Sequence, residues 1–177
     1  MPSGRTHDAI TLILAFPAFA VTYGITKSFS TSAVVTAAFI FGGIMFGPDL
    51  DTVSRQYSRW LILRLLWFPY RKVFNHRSRF SHGLILGAFG RVVYFMGVLT
   101  LAAFFVVYIY AAYAGGNLPN LLDSARVWQP VGEWTRLHFG EHFLLNIFIG
   151  LWLGAASHTF TDMAGSFVKT GRVAKFL

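Results

Sequence analysis

Residues 143–163 read FLLNIFIGLWLGAASHTFTDM. The run is apolar until its last turns, and at about 20 residues it is long enough for a helix to cross a hydrocarbon core about 30 Å thick. Asn146, Gly150, Gly154, His158 and Asp162 recur in steps of four, so they share one helical face. The two glycines let a neighbouring helix approach closely. His158 and Asp162 then end the span as a one-turn pair, suited either to a mutual contact at a helix end or to a shared ligand.

Three more stretches have the same character, at about Ala9 to Thr26, Thr31 to Gly47 and Gly83 to Ala114. With 55% hydrophobic and only 12% charged residues in 177, the composition is that of a small integral membrane protein. The expected fold is therefore all-α: a single membrane domain over 1–177, with spans near 9–26, 31–47, 83–114 and 143–163 and a loop over 48–82. Within that loop, Trp60 to Tyr70 (WLILRLLWFPY) is too short to span and carries Arg64 and Pro69, so it is expected to lie in the interface as a short helix. Arg91 interrupts the third span early. That places its first turns at headgroup level or against protein, with the guanidinium snorkelling or paired with an acid. Gly115 to Gly140 is expected to be a connector opened by turn residues.

Lys and Arg fix the expected orientation. Arg5, Arg55, Arg59, Arg64, Arg71, Lys72, Arg77, Arg79, Lys169, Arg172 and Lys175 fall on one side of a four-span topology, against Lys27, Arg126 and Arg136 on the other. The richer side is cytoplasmic by the positive-inside rule, which puts both termini inside. A competing reading takes Arg5, the first apolar run and Ala18-Phe19-Ala20 as a secretory leader, whose cleavage would discard His7 and Asp8. The net charge of +8 flanks apolar spans, which fits an anionic leaflet and not nucleic acid.

Under this topology four polar strings reach one end of an up-down-up-down bundle: Thr6-His7-Asp8, Gly47-Pro48-Asp49-Leu50-Asp51, His76-Arg77-Ser78-Arg79-Phe80-Ser81-His82, and His158-Thr159-Phe160-Thr161-Asp162. They hold four of the six histidines and four of the seven acids. Acids at a membrane edge repel one another unless a cation intervenes. With no cysteine in the chain, the metal donors available are nitrogen and oxygen, a set that suits zinc best, with manganese or iron as alternatives and candidates enough for one or two ions. The expected ligands are His7, Asp49, His76, His82, His158 and Asp162. Asp51 and the weaker Asp8 are candidates for proton transfer or for orienting a ligand, and Arg77 and Arg79 for binding an anionic substrate. His138, Glu141 and His142 (HFGEH) do not follow the order of zinc peptidases, and the topology puts them on the opposite side.

The ordered set Pro48-Asp-Leu-Asp51, His76-Arg-x-x-x-Ser-His82 and Ser157-His-x-x-x-Asp162, preceded by His7, resembles the inner-membrane metal-dependent hydrolase family that includes a LexA-controlled member. Met1 to Asp8 and Phe46 to Asp51 are closer still to a related group of mostly cyanobacterial metal-binding membrane proteins. The resemblance implies metal binding by His7, Asp49, Asp51, His76, His82, His158 and Asp162, in a bacterial inner or thylakoid-type membrane. Where the hydrolase family commonly has His after the second Asp, this chain has Thr52, so one ligand or proton carrier of that family is absent. The expected function is metal-dependent hydrolysis of a lipid or membrane-proximal phosphoester. The alternative is a non-catalytic metal-binding membrane protein serving as structural subunit, assembly factor or metal handler. Ion transport ranks third, because the spans are nearly free of titratable groups at mid-membrane.

Overall fold

The computed structural model describes residues 3–74, 78, 81, 83, 86–120, 122, 126 and 128–171. Among them the regular structure is helical, and four segments are long and apolar enough to cross a membrane: Gly4–Thr26, Phe29–Asp51, Leu86–Ala114 and Phe143–Thr170. The chain divides into two compact units, one of residues 1–91 and 145–177, the other of residues 92–144.

In the first unit, α1 (Gly4–Thr26) starts at Ser3, whose hydroxyl caps the Thr6 N–H. That cap starts the helix before the apolar run does, and so brings His7 inside it. α2 (Phe29–Ile44) is capped by Ser28 in the same way. A 3-10 turn over Pro48–Asp51 follows, then α3 (Arg55–Arg59), capped by Ser54. The segment expected to be one interfacial helix is a 3-10 stretch, Leu61–Trp67, leading into α4 (Phe68–Val73). Pro69 accounts for the break, since it lacks the N–H that an α-helix would offer to the Leu65 carbonyl. Trp67 and Tyr70 are fully buried here while Leu61, Ile62 and Leu65 point outward. Trp60, Phe46 and Trp67 pack edge to face, with centroids 5.3–5.4 Å apart.

The last helix of the first unit is named α7 (Phe143–Thr170), counting α5 (Leu86–Ala114) and α6 (Trp128–Phe139) before it. α2 and α7 run parallel, because Gly150 lies against Val35 and Ala38 while Gly154, one turn on, lies against Phe39 and Gly43. On the other flank of α2, Gly43 receives the Thr11 side chain of α1. The α7 helix outlasts the apolar run because nothing breaks it before Gly171, whose φ of 66° ends it.

Arg91, in the first turns of α5, does not snorkel. It is buried, donates to the Ser81 carbonyl at 2.6 Å, and has Tyr70, Asp51 and Asp49 within electrostatic range.

The second unit holds the rest of α5 and the amphipathic α6 (Trp128–Phe139), which falls inside the stretch expected to be a connector. Val131, Trp134 and Leu137 are exposed on α6 at helical spacing, and the Trp128 indole N–H ties the helix to Thr100 of α5 at 2.7 Å. His138 stacks on Trp134 with centroids 4.6 Å apart.

Candidate metal centre

His7 sits in the first turn of α1, and His158 and Asp162 lie on the same face of α7. All three are buried, and one donor atom from each lies within 4.8 Å of the others. The two imidazoles stack nearly parallel, 3.8 Å between centroids and 7° between planes. His7 Nε2 is 3.2 Å from Asp162 Oδ1. His158 Nε2 faces two acids, Asp49 Oδ2 at 3.4 Å and Asp162 Oδ2 at 3.8 Å. The start of α1, the 3-10 turn and the C-terminal half of α7 thus meet within the first unit.

These residues fit a metal ion. Ligands bound at about 2.0–2.1 Å in a tetrahedron stand about 3.3–3.4 Å apart, close to the separations found. The same atoms satisfy one another poorly by hydrogen bonding, for His158 Nε2 and Asp162 Oδ1 are buried without a hydrogen-bond partner. Setting a buried carboxylate, Asp162, and a partly buried one, Asp49, against one buried imidazole is costly unless a cation compensates them. Two nitrogens and two carboxylates, His7, His158, Asp49 and Asp162, make a set suited to zinc, manganese or iron.

The surrounding side chains hold these donors in place. The Gln56 amide nitrogen donates to the Gly43 carbonyl at 2.6 Å and lies 3.3 Å from His158 Nδ1. That one nitrogen therefore ties the end of α2 to the His158 ring. Asp8, next to His7, is engaged by Arg59: one guanidinium nitrogen donates to Oδ1 at 2.9 Å, the other to Oδ2. Arg59 also donates to the Ile44 carbonyl at 2.8 Å, so one side chain ties the first turn of α1 to the end of α2. Arg55 adds a 3.2 Å contact to Asp8. Both Asp8 oxygens are thereby engaged by arginine, directly beside His7. Asp51 is buried in the 3-10 turn, within electrostatic range of Arg91.

A cavity of about 220 Å³ opens onto the donors, lined by His7, Asp49 and His158 on its inner wall and by Arg55 and Arg59 on its rim. His76, His82, Arg77 and Arg79, expected as ligands and anion-binding groups, lie outside the described residues. Gln56 and the Arg59 clamp carried no spacing signal, since each reaches the site through tertiary packing alone.

A family model described as "Uncharacterized metal-binding protein (DUF2227)" matches residues 2–172. The chain belongs to that family. No curated protein and no solved structure matches it.

Proposed function

We propose that this protein is a membrane-embedded, metal-dependent phosphoester hydrolase working at the cytoplasmic face. The observation that carries the reading is the cavity of about 220 Å³ beside the donors, which leaves a coordination position reachable from outside, as catalytic metal sites require and structural ones do not. A bound divalent ion lowers the pKa of water and polarises a phosphoryl oxygen. Arg55, half exposed on the rim, neutralises the phosphoryl charge by charge-assisted hydrogen bonds. Asp49 has 27% of its side chain exposed against 2% for Asp162, so where His7, His158 and Asp162 alone hold the ion and the fourth position stays open, Asp49 is the carboxylate best placed to accept the proton of an attacking water. Asp8 and Arg59 keep His7 in register, and Gln56 orients His158.

The purified protein, loaded in turn with zinc, manganese and ferrous iron, is expected to hydrolyse p-nitrophenyl phosphate or its diester, with loss of turnover in chelator and recovery on adding metal back. Turnover of neither, at one bound ion per chain, would move the reading to a non-catalytic metal-binding protein.

The cytoplasmic placement rests on the distribution of Lys and Arg. A reporter fused after Leu177 should be active only in its cytoplasmic form, and periplasmic activity reverses the topology.

A further inference from the structure

α6 is anchored too deep for a surface connector. Its first residue, Trp128, donates an indole N–H to the Thr100 hydroxyl at 2.7 Å, and that hydroxyl donates in turn to the Met96 carbonyl of its own helix. Thr100 lies at the middle of α5, the most apolar of the four candidate spans. Two markers fix its depth. Towards the start of α5, Arg91 is the buried cation near Asp51 and Asp49. Towards its end, Tyr108, Tyr110 and Tyr113 are all exposed, an aromatic belt of the kind that sits at a membrane interface. At 1.5 Å per residue, Thr100 is about 13 Å from Arg91 and about 12 Å from Tyr108 along the axis, close to the midplane of a core about 30 Å thick.

α6 has 12 residues and is therefore about 18 Å long, too short to cross that core but long enough to climb from Thr100 to the tyrosine belt. The chain also has to return to the side that α5 reaches. α2 and α7 run parallel, and Arg91 sets the start of α5 beside the turn that ends α2, so α5 ends on the side of the membrane where α7 begins. The side chains of α6 divide as that position requires. Val131, Trp134 and Leu137, three apart, are exposed on one face. Gln129, Glu133 and Arg136 follow a second face and line a cavity of about 510 Å³ together with Gly140 and Glu141. Charged side chains at membrane depth are tolerated where they line water, as is backbone outside regular helix.

From the Trp128 anchor, the length of α6 and this division we infer that α6 is a re-entrant half-helix. It rises from the middle of the bilayer towards the side where α7 begins, with Val131, Trp134 and Leu137 against acyl chains and Glu133 and Arg136 in a water-filled vestibule open to that side. The inference rests on the spans crossing a bilayer and is independent of any reaction at the metal centre.

The chain has no cysteine, so single cysteines report single positions. Val131→Cys and Leu137→Cys replace exposed side chains. Each carries a nitroxide in the reconstituted protein, and the ratio of its accessibility to oxygen and to a nickel chelate gives its depth. A rising helix puts position 131 deeper than position 137 by up to about 9 Å. Equal depths would lay α6 flat in the interface, and free access of both labels to the chelate would put it in water; either overturns the proposal, as does position 137 lying the deeper. Glu133→Cys should react with a membrane-impermeant maleimide about tenfold or more faster than Val131→Cys, since charged species stay out of hydrocarbon. Equal rates, or no reaction at either, remove the vestibule and overturn the proposal too.

The unmodified protein gives a second readout. A phospholipid with a diazirine at the end of its acyl chain should photolabel residues 128–131 in preference to 137–139, and one with the diazirine beside the glycerol should reverse that preference. The same preference from both lipids overturns the proposal. So does the absence of label along α6 from either, which would assign its apolar face to another protein chain.

Discussion

Replacing His158 by alanine is expected to leave the purified protein essentially free of bound metal, with affinity reduced by more than about a hundredfold. Residues that merely orient a ligand already account for about 10–100-fold, and His158 is the hub of the donors. Its Nε2 faces Asp49 at 3.4 Å and Asp162 at 3.8 Å, its ring stacks on His7, and its Nδ1 meets Gln56. Without it, one nitrogen remains among carboxylates that repel one another. Gln56→Leu keeps all four donors and removes only the orienting partner, so its loss should fall inside the 10–100-fold range and be recovered at high metal concentration. Elemental analysis after dialysis against a graded metal buffer separates the two variants. Unchanged metal content in His158→Ala would sink the site, and identical losses in the two would point to collapse of the fold and not to lost coordination.

The parts of this site that could be read from the chain are those encoded by a period. His158 and Asp162 stand four apart on a helix whose glycines stand four apart before them, so their common face and its close packing followed from helical geometry alone. Pro48 between an apolar run and two acids marked the turn that holds Asp49. What escaped was set by partners far along the chain. Gln56 and His158 are 102 residues apart and Asp8 and Arg59 are 51 apart. No local pattern tells that Asp8, adjacent to a candidate ligand, spends both oxygens on an arginine. Likewise α6 went unmarked within the connector because its apolar residues are few and interleaved with polar ones, which lowers mean hydropathy while leaving helical periodicity intact. Arg91 posed the opposite problem: its charge was plain, but only the fold shows that it turns inward to the Ser81 carbonyl and not out to water.

The largest structural effect is expected at Gly154. A Cβ there would collide with backbone atoms, the Phe39 carbonyl and the Gly43 amide nitrogen, which cannot swing aside as a side-chain tip can. Overpacking a well-packed contact costs about 1–3 kcal/mol and occasionally more; contact with the backbone of a parallel neighbour belongs at the upper end or beyond. Gly154→Val should therefore lower the unfolding temperature sharply or prevent accumulation in the membrane. Gly24→Ala is the control, because nothing lies within 4 Å of the added carbon, and removing a helical glycine there should stabilise by about 0.5–1 kcal/mol. The milder Gly154→Ala carries the functional consequence. His158 lies one turn beyond Gly154, so pushing α7 away from α2 draws Nε2 away from Asp49, which is anchored in the turn that follows α2. Metal affinity should then fall in Gly154→Ala although no donor is altered. Full affinity in a folded Gly154→Ala protein would mean that the close α2–α7 contact serves packing alone.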